Sequence, residues 1–235
     1  MTEYTDEHRA KLEAYLATHI LPAGLGNEES ACTIAAINLA MDGEVTDDIR
    51  PCMSLVLGKA AIGLQDAMPD EMRNSARYKA LIPNMPGSGR AHEAERLAVL
   101  MNWMWTVVLP QVQPDADKNG FGAEWSKMCK EKTPAAARAA ARAAAARAAA
   151  DDDAADVAAR AAVDAADAAD ARATADDDAA DVAYADDDAA DAAARAAAAA
   201  ADAAARAADV AHTDFWTAVD PIGVLERMTY LGMSA

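Results

Sequence analysis

The chain has 235 residues and a formal net charge of −18, with 39 acidic side chains against 21 Lys and Arg. That balance argues against direct phosphate binding, which needs basic side chains to neutralise a polyanion, and favours either high solubility or an acidic surface offered to a basic partner. Hydrophobic residues reach 53% but aromatic ones only 5%; much of the apolar share is alanine in residues 134–212, so the large core-building side chains fall in residues 1–130 and 213–235.

Helix signals dominate along the chain. Thr5 can cap a helix running to about Thr18, with Leu12, Tyr15, Leu16 and Ile20 on one face, ended by Pro22, Gly24 and Gly26. Asn27 is read as the cap of a second helix, Glu28 to about Met41, stopped at Asp42-Gly43. A third is expected from Thr46 or Asp47, with Pro51 early in it and Gly58 and Gly63 inside. Pro69-Asp70-Glu71 opens a fourth that ends before Pro83. Ser88 then suits a long core helix to Leu109, carrying Leu97, Leu100, Met101, Met104, Trp105 and Val108, broken by Pro110 and Pro114. Phe121, Trp125 and Met128 mark the last large-residue helix before the alanine tract, and Asp220-Pro221 opens a C-terminal helix expected to return to the first 130 residues.

Residues 134–212 are almost wholly Ala, Asp and Arg, with DDDAAD at Asp151, Asp176 and Asp186. At about 100° per residue, Asp156, Arg160, Asp164, Asp167 and Asp170 share an arc of roughly 120°, opposite a face of alanine. A second stripe runs through Asp188, Asp191, Arg195, Asp202, Arg206 and Asp209. The triple-Asp runs fall where the phase slips, so they read as helix starts, and separate packed helices are favoured over one rod. Asp156–Arg160, Asp191–Arg195 and Asp202–Arg206 have the acid four residues before the base, a pairing worth about 0.2–0.5 kcal/mol each. Alanine methyls add only about 0.8 kcal/mol each on burial, so the tract depends on the large residues on either side.

Chemical motifs are sparse. Asp115, Asp117, Asn119 and Gly120 match the first half of a calcium loop, D-x-[DN]-x-[DN]-G, but position twelve is Ser126, and Glu124 comes two residues early. A polar turn is the favoured reading. Gly87-Ser88-Gly89-Arg90 lacks P-loop spacing, and the four histidines share no ligand spacing. The cysteines, Cys32, Cys52 and Cys129, are odd in number with no CxxC, as expected of reduced, buried thiols in a cytoplasmic protein. The N-terminal MTEYTDEHRAKLEAYL does not read as a signal peptide, and Leu97–Leu109 is too short to span a bilayer.

The segments ESACTIAAINLAMDG, LQDAMPDEMRNSARYKALIP and GFGAEWSKMC, the run AAARAAARAAAARAAA and the closing VLERMTYLG together resemble alanine-rich uncharacterised proteins encoded by tailed bacteriophages. The resemblance brings no activity or catalytic residue; it implies an accessory, host-interaction or anti-defence setting. Its Asp runs depart from that pattern.

The expected fold is all-α, a multi-helix bundle with a close-packed alanine-rich extension. The expected organisation is residues 1–130, 134–212 and 213–235, the last packing on the first. The expected function is that of a non-enzymatic acidic interaction protein needing no cofactor. Its contact face would comprise Asp153, Asp156, Asp164, Asp167, Asp188 and Asp191, set against a basic nucleic-acid-binding protein with no direct contact to nucleic acid or membrane. A structural or scaffold role in a phage particle, and weak calcium binding through Asp115, Asp117, Asn119 and Glu124, are the alternatives.

Overall fold

The computed structural model describes residues 3–148, 153–173, 188–196, 198–200 and 212–232. The protein is all-α, with one two-residue hairpin among the described residues. Two compact units divide it: residues 1–96 with 222–235, and residues 97–221.

In the first unit, α1 (Asp6–Thr18) starts where Thr5 accepts a hydrogen bond from the His8 amide while the His8 ring accepts one from Thr5 N, a reciprocal cap. It buries Leu12 and Leu16. The helix expected from Glu28 begins five residues later. Asn27 Oδ1 instead accepts from the amides of Glu29 and Ser30, at 2.9 and 3.0 Å, closing the turn of an antiparallel hairpin, β1 (Gly26–Asn27) with β2 (Ser30–Ala31). Gly26 sits at φ 78°, and any Cβ there would strike the Ser30 carbonyl. Cys32, through its sulfur, caps α2 (Thr33–Asp42), which stops at left-handed Gly43 as the Asp-Gly pair indicated.

The third helix also starts later than the sequence indicates. Residues 44–50 carry no regular structure because the Asn38 amide donates to the Thr46 and Asp48 carbonyls, at 2.9 and 3.0 Å, and its oxygen accepts from Arg50 Nε. The helix α3 (Leu55–Ala67) begins after Ser54. There the Glu93 carboxylate accepts from Ser54 Oγ and from the Leu55 and Val56 amides, placing negative charge at the positive end of the helix. Gly58 lets Ile49 lie directly on this helix. The helix expected after Pro69 is two pieces, α4 (Asp70–Arg73) and α5 (Ala76–Leu81), parted at Asn74, whose side chain is occupied by both backbone groups of Leu21.

The division between units falls inside α6 (Glu93–Trp103). Its last α-helical residue belongs to a run of three buried residues, Trp103, Met104 and Trp105, which no single face of an ideal α-helix accommodates. The chain widens into a π-helical turn, Met104–Val108, then tightens to 3-10 geometry over Leu109–Val112, where Pro110 cannot continue the hydrogen-bond ladder. This replaces the unbroken helix expected to Leu109. The short α7 (Gln113–Lys118) follows, then α8 (Gly122–Glu131), with Trp125 and Met128 buried.

The alanine tract of the second unit contains α9 (Pro134–Ala148), α10 (Asp153–Ala173), the helical residues 188–196, called α11, and the helical residues 198–200. The first two pack along each other, and Arg138 near the start of α9 pairs with Asp170 near the end of α10, so they run antiparallel. Packed helices, not a single rod, therefore form this part of the tract. Ala137, Ala140 and Ala144 on α9, and Ala158, Ala161, Ala162 and Ala165 on α10, are wholly buried. The helix starts expected at Asp151, Asp176 and Asp186, and the Asp202–Arg206 pair, lie outside the described residues. Helix α12 (His212–Val219) ends this unit, and Trp103 Nε1 donates to the Val219 carbonyl at 2.6 Å.

The final helix, α13 (Pro221–Tyr230), belongs to the first unit and starts at the predicted proline. Glu226 on it receives Arg77 through both carboxylate oxygens, at 2.9 and 2.6 Å. Arg96, fully buried, donates to the carbonyls of Met228 and Leu231 and to those of Ser88 and Gly89. No helix among the described residues is long and apolar enough to cross a membrane.

Candidate interaction face

Helix α10 carries the charged stripe. Going around it at about 100° per residue, Asp170, Val163, Asp156, Asp167, Arg160 and Asp164 succeed one another within an arc of about 120°. Asp156, Arg160, Val163 and Asp167 are exposed, while Asp164 and Asp170 at the two margins are half-buried. Each margin is sealed by an arginine from a neighbouring helix: Arg138 of α9 on Asp170, and Arg195 of α11 on Asp164 at 3.2 Å. The face is therefore a strip of solvent-facing helix bounded by two inter-helix ion pairs.

Of the predicted face, Asp156 is paired with Arg160 one turn on, and Asp191 with Arg195. Arg195 thus serves Asp164 and Asp191 together. Asp167 and Asp188 are exposed and make no ion pair among the described residues. Asp153 opens α10, and its side chain lies outside the described residues. The i,i+4 pairs were readable from spacing. Arg138 and Arg195 as inter-helix partners, and Val163 as an exposed apolar residue within the stripe, were not.

Burial pushes the Asp164 carboxyl above the ordinary aspartate range, despite the opposing Arg195 guanidinium; Asp167 and Asp191 add repulsion. The folded chain holds a proton at Asp164 more readily than the unfolded chain, so this group contributes stability at low pH that is lost as pH rises through its folded value. Asp164→Asn is expected to hold or raise the unfolding midpoint at neutral pH, with the advantage vanishing on acidification toward the ordinary aspartate value. Thermal melts of both proteins across that range check it; a lower midpoint for the variant at neutral pH would mean the ion pair outweighs desolvation.

The calcium-loop residues do not form a loop. Asp115 and Asp117 lie on α7, Asn119 caps its end, and Glu124 is exposed in the first turn of α8. Asp115 is buried and accepts the Asn119 amide at 2.9 Å, and Asp117 accepts that of Gln113 at 2.8 Å. Among the described residues no group of three or more His, Cys, Asp or Glu is placed to hold a metal ion.

Two of the thiols, Cys32 and Cys129, are poorly suited to nucleophilic work. Burial raises Cys32, and pushes Cys129 up to about 11, which keeps both protonated at neutral pH. In the first unit an open groove between α1 and α5 is lined by Glu13, Leu16, Ala17, Asn74, Ala76, Lys79, Ala80 and Pro83. Its lysine already donates to the His19 carbonyl at 2.7 Å, and no nucleophile lines it. No protein-family model matches the chain, nor does any curated protein or solved structure.

Proposed function

We propose that the protein is a non-enzymatic acidic binding protein whose α10–α11 face engages a basic, nucleic-acid-binding protein. The observation that carries this reading is the exposed strip of α10, where Asp167, between two sealed margins, makes no ion pair among the described residues, with Asp188 exposed on α11. Rows of carboxylates on a firm helical support present fixed negative charge, as a nucleic-acid backbone does, and a net charge of −18 would hasten encounter with a basic partner. The resemblance to phage proteins makes the natural partner a host nucleic-acid-binding or defence protein, and the protein its inhibitor.

The test is a triple substitution, Asp156→Asn, Asp167→Asn and Asp188→Asn. The wild-type protein is expected to capture a basic protein from bacterial lysate and to lose it when duplex DNA is added as competitor. The variant is expected to capture about tenfold less, with helicity by circular dichroism unchanged. Equal capture by the variant, or capture indifferent to DNA, would sink the reading.

A further inference from the structure

We infer that Arg195 is a positioning residue for the acidic face: by joining α11 to α10 it holds Asp188 of the one helix and Asp167 of the other in a fixed relation. The inference rests on the binding role proposed above and names what sets the geometry of that face.

Reach singles out this residue. Residues 188–196 are Asp and Ala apart from Arg195, so Arg195 alone among them has a side chain long enough to cross to a neighbouring helix. It makes that crossing. Its Nε donates to Asp164 Oδ1 on α10 at 3.2 Å, while the same guanidinium pairs with Asp191 one turn back on its own helix. The planar fork suits this double engagement, which a lysine ammonium does not match. The alanines of the stretch are buried, but a methyl makes no directional bond. Asp167 lies about 4.5 Å of helix rise beyond Asp164, and Asp188 about 10.5 Å before Arg195, so the two exposed carboxylates flank the junction.

Charge counting alone gives the opposite expectation. Arg195 is a cation within a face that attracts cations, so deleting it makes the face more negative. Asp164, Asp167 and Asp191 all act on it, and one guanidinium among three carboxylates leaves the cluster negative. Arg195 therefore lowers the field a little and fixes where the field is presented.

Anisotropy titrations at about 0.15 M salt test it. The probe is a labelled alanine-based helical peptide with an arginine at every fourth residue. A glycine-based peptide of equal length and charge is its flexible control. The wild type is expected to bind the helical probe more tightly than the Asp156→Asn, Asp167→Asn, Asp188→Asn variant does. Arg195→Ala, a change that favours helix, is expected to bind the helical probe about fivefold more weakly than the wild type, and the flexible one at least as tightly, with circular dichroism unchanged. Arg195→Lys keeps the charge without the fork, and is expected to fall between. If the wild type binds no tighter than the triple variant, the binding role fails and this inference with it. If the wild type does bind tighter, but Arg195→Ala matches it on the helical probe or weakens toward both peptides alike, the positioning role alone is overturned.

Discussion

Arg96→Met is expected to cost about 3 kcal/mol of stability, read as a lower midpoint in urea denaturation. The guanidinium is fully buried, and its hydrogen bonds go to four backbone carbonyls, two beside the Ser88–Gly89 loop and two at the end of α13. Methionine fills the stem of the side chain but offers no donor, leaving carbonyls in a dry place without partners. Each such orphan costs about 1–3 kcal/mol, and relaxation of the chain end recovers part. Arg96→Lys keeps the charge but not the planar fork, so it is expected to recover less than half of the loss. Amide exchange in α13 should quicken in both variants, because Met228 and Leu231 lose their tether. Unchanged exchange there would show that the helix is held by its apolar face alone.

The second large effect is expected at Trp125. Trp125→Ala removes a wholly buried indole from α8, opening a cavity and leaving the Leu109 carbonyl without its 2.8 Å donor; the expected cost is about 3–5 kcal/mol. The effect should not stay local. Helix α8 packs on α9, and α9 on α10, so the alanine helices are supported from their large-residue side. Ellipticity at the helical minimum is expected to fall by more than α8 itself can account for. Trp125→Phe, which keeps most of the apolar volume and loses the N–H donor, should cost about 1–2 kcal/mol and preserve the alanine helices. If Trp125→Ala melts α8 and leaves the helical signal otherwise intact, the tract stands without that support.

The sequence was most legible where local chemistry decides. Thr5, Asp42-Gly43 and Asp220-Pro221 mark helix boundaries because a cap, a left-handed turn or a missing amide acts within a few residues. It misled where a side chain reaches across the chain. Asn38 holds residues 46–50 out of a helix their composition permits. Asn27 spends its oxygen inside a hairpin turn when it could have capped a helix. The π-helical turn after Trp103 answers a packing demand that periodicity assumes away. The same division runs through the candidate face. Asp156–Arg160 and Asp191–Arg195 follow from spacing, whereas Arg138–Asp170 and Arg195–Asp164 depend on which helices become neighbours, information that alanine positions do not encode.

The alanine helices find their alignment through their few charged side chains. Larger side chains interlock, and a helix slipped by one turn against its neighbour meets clashes and holes. Methyl against methyl looks the same after a slip of one turn, so the buried faces of α9 and α10 rank alternative alignments only weakly. Among the described residues the discrimination falls to the Arg138–Asp170 ion pair at the margin, which breaks on any slip. Burial and alignment are thus carried by different residues here: alanine holds the helices close, and a few arginines at their edges decide where along one another they stop.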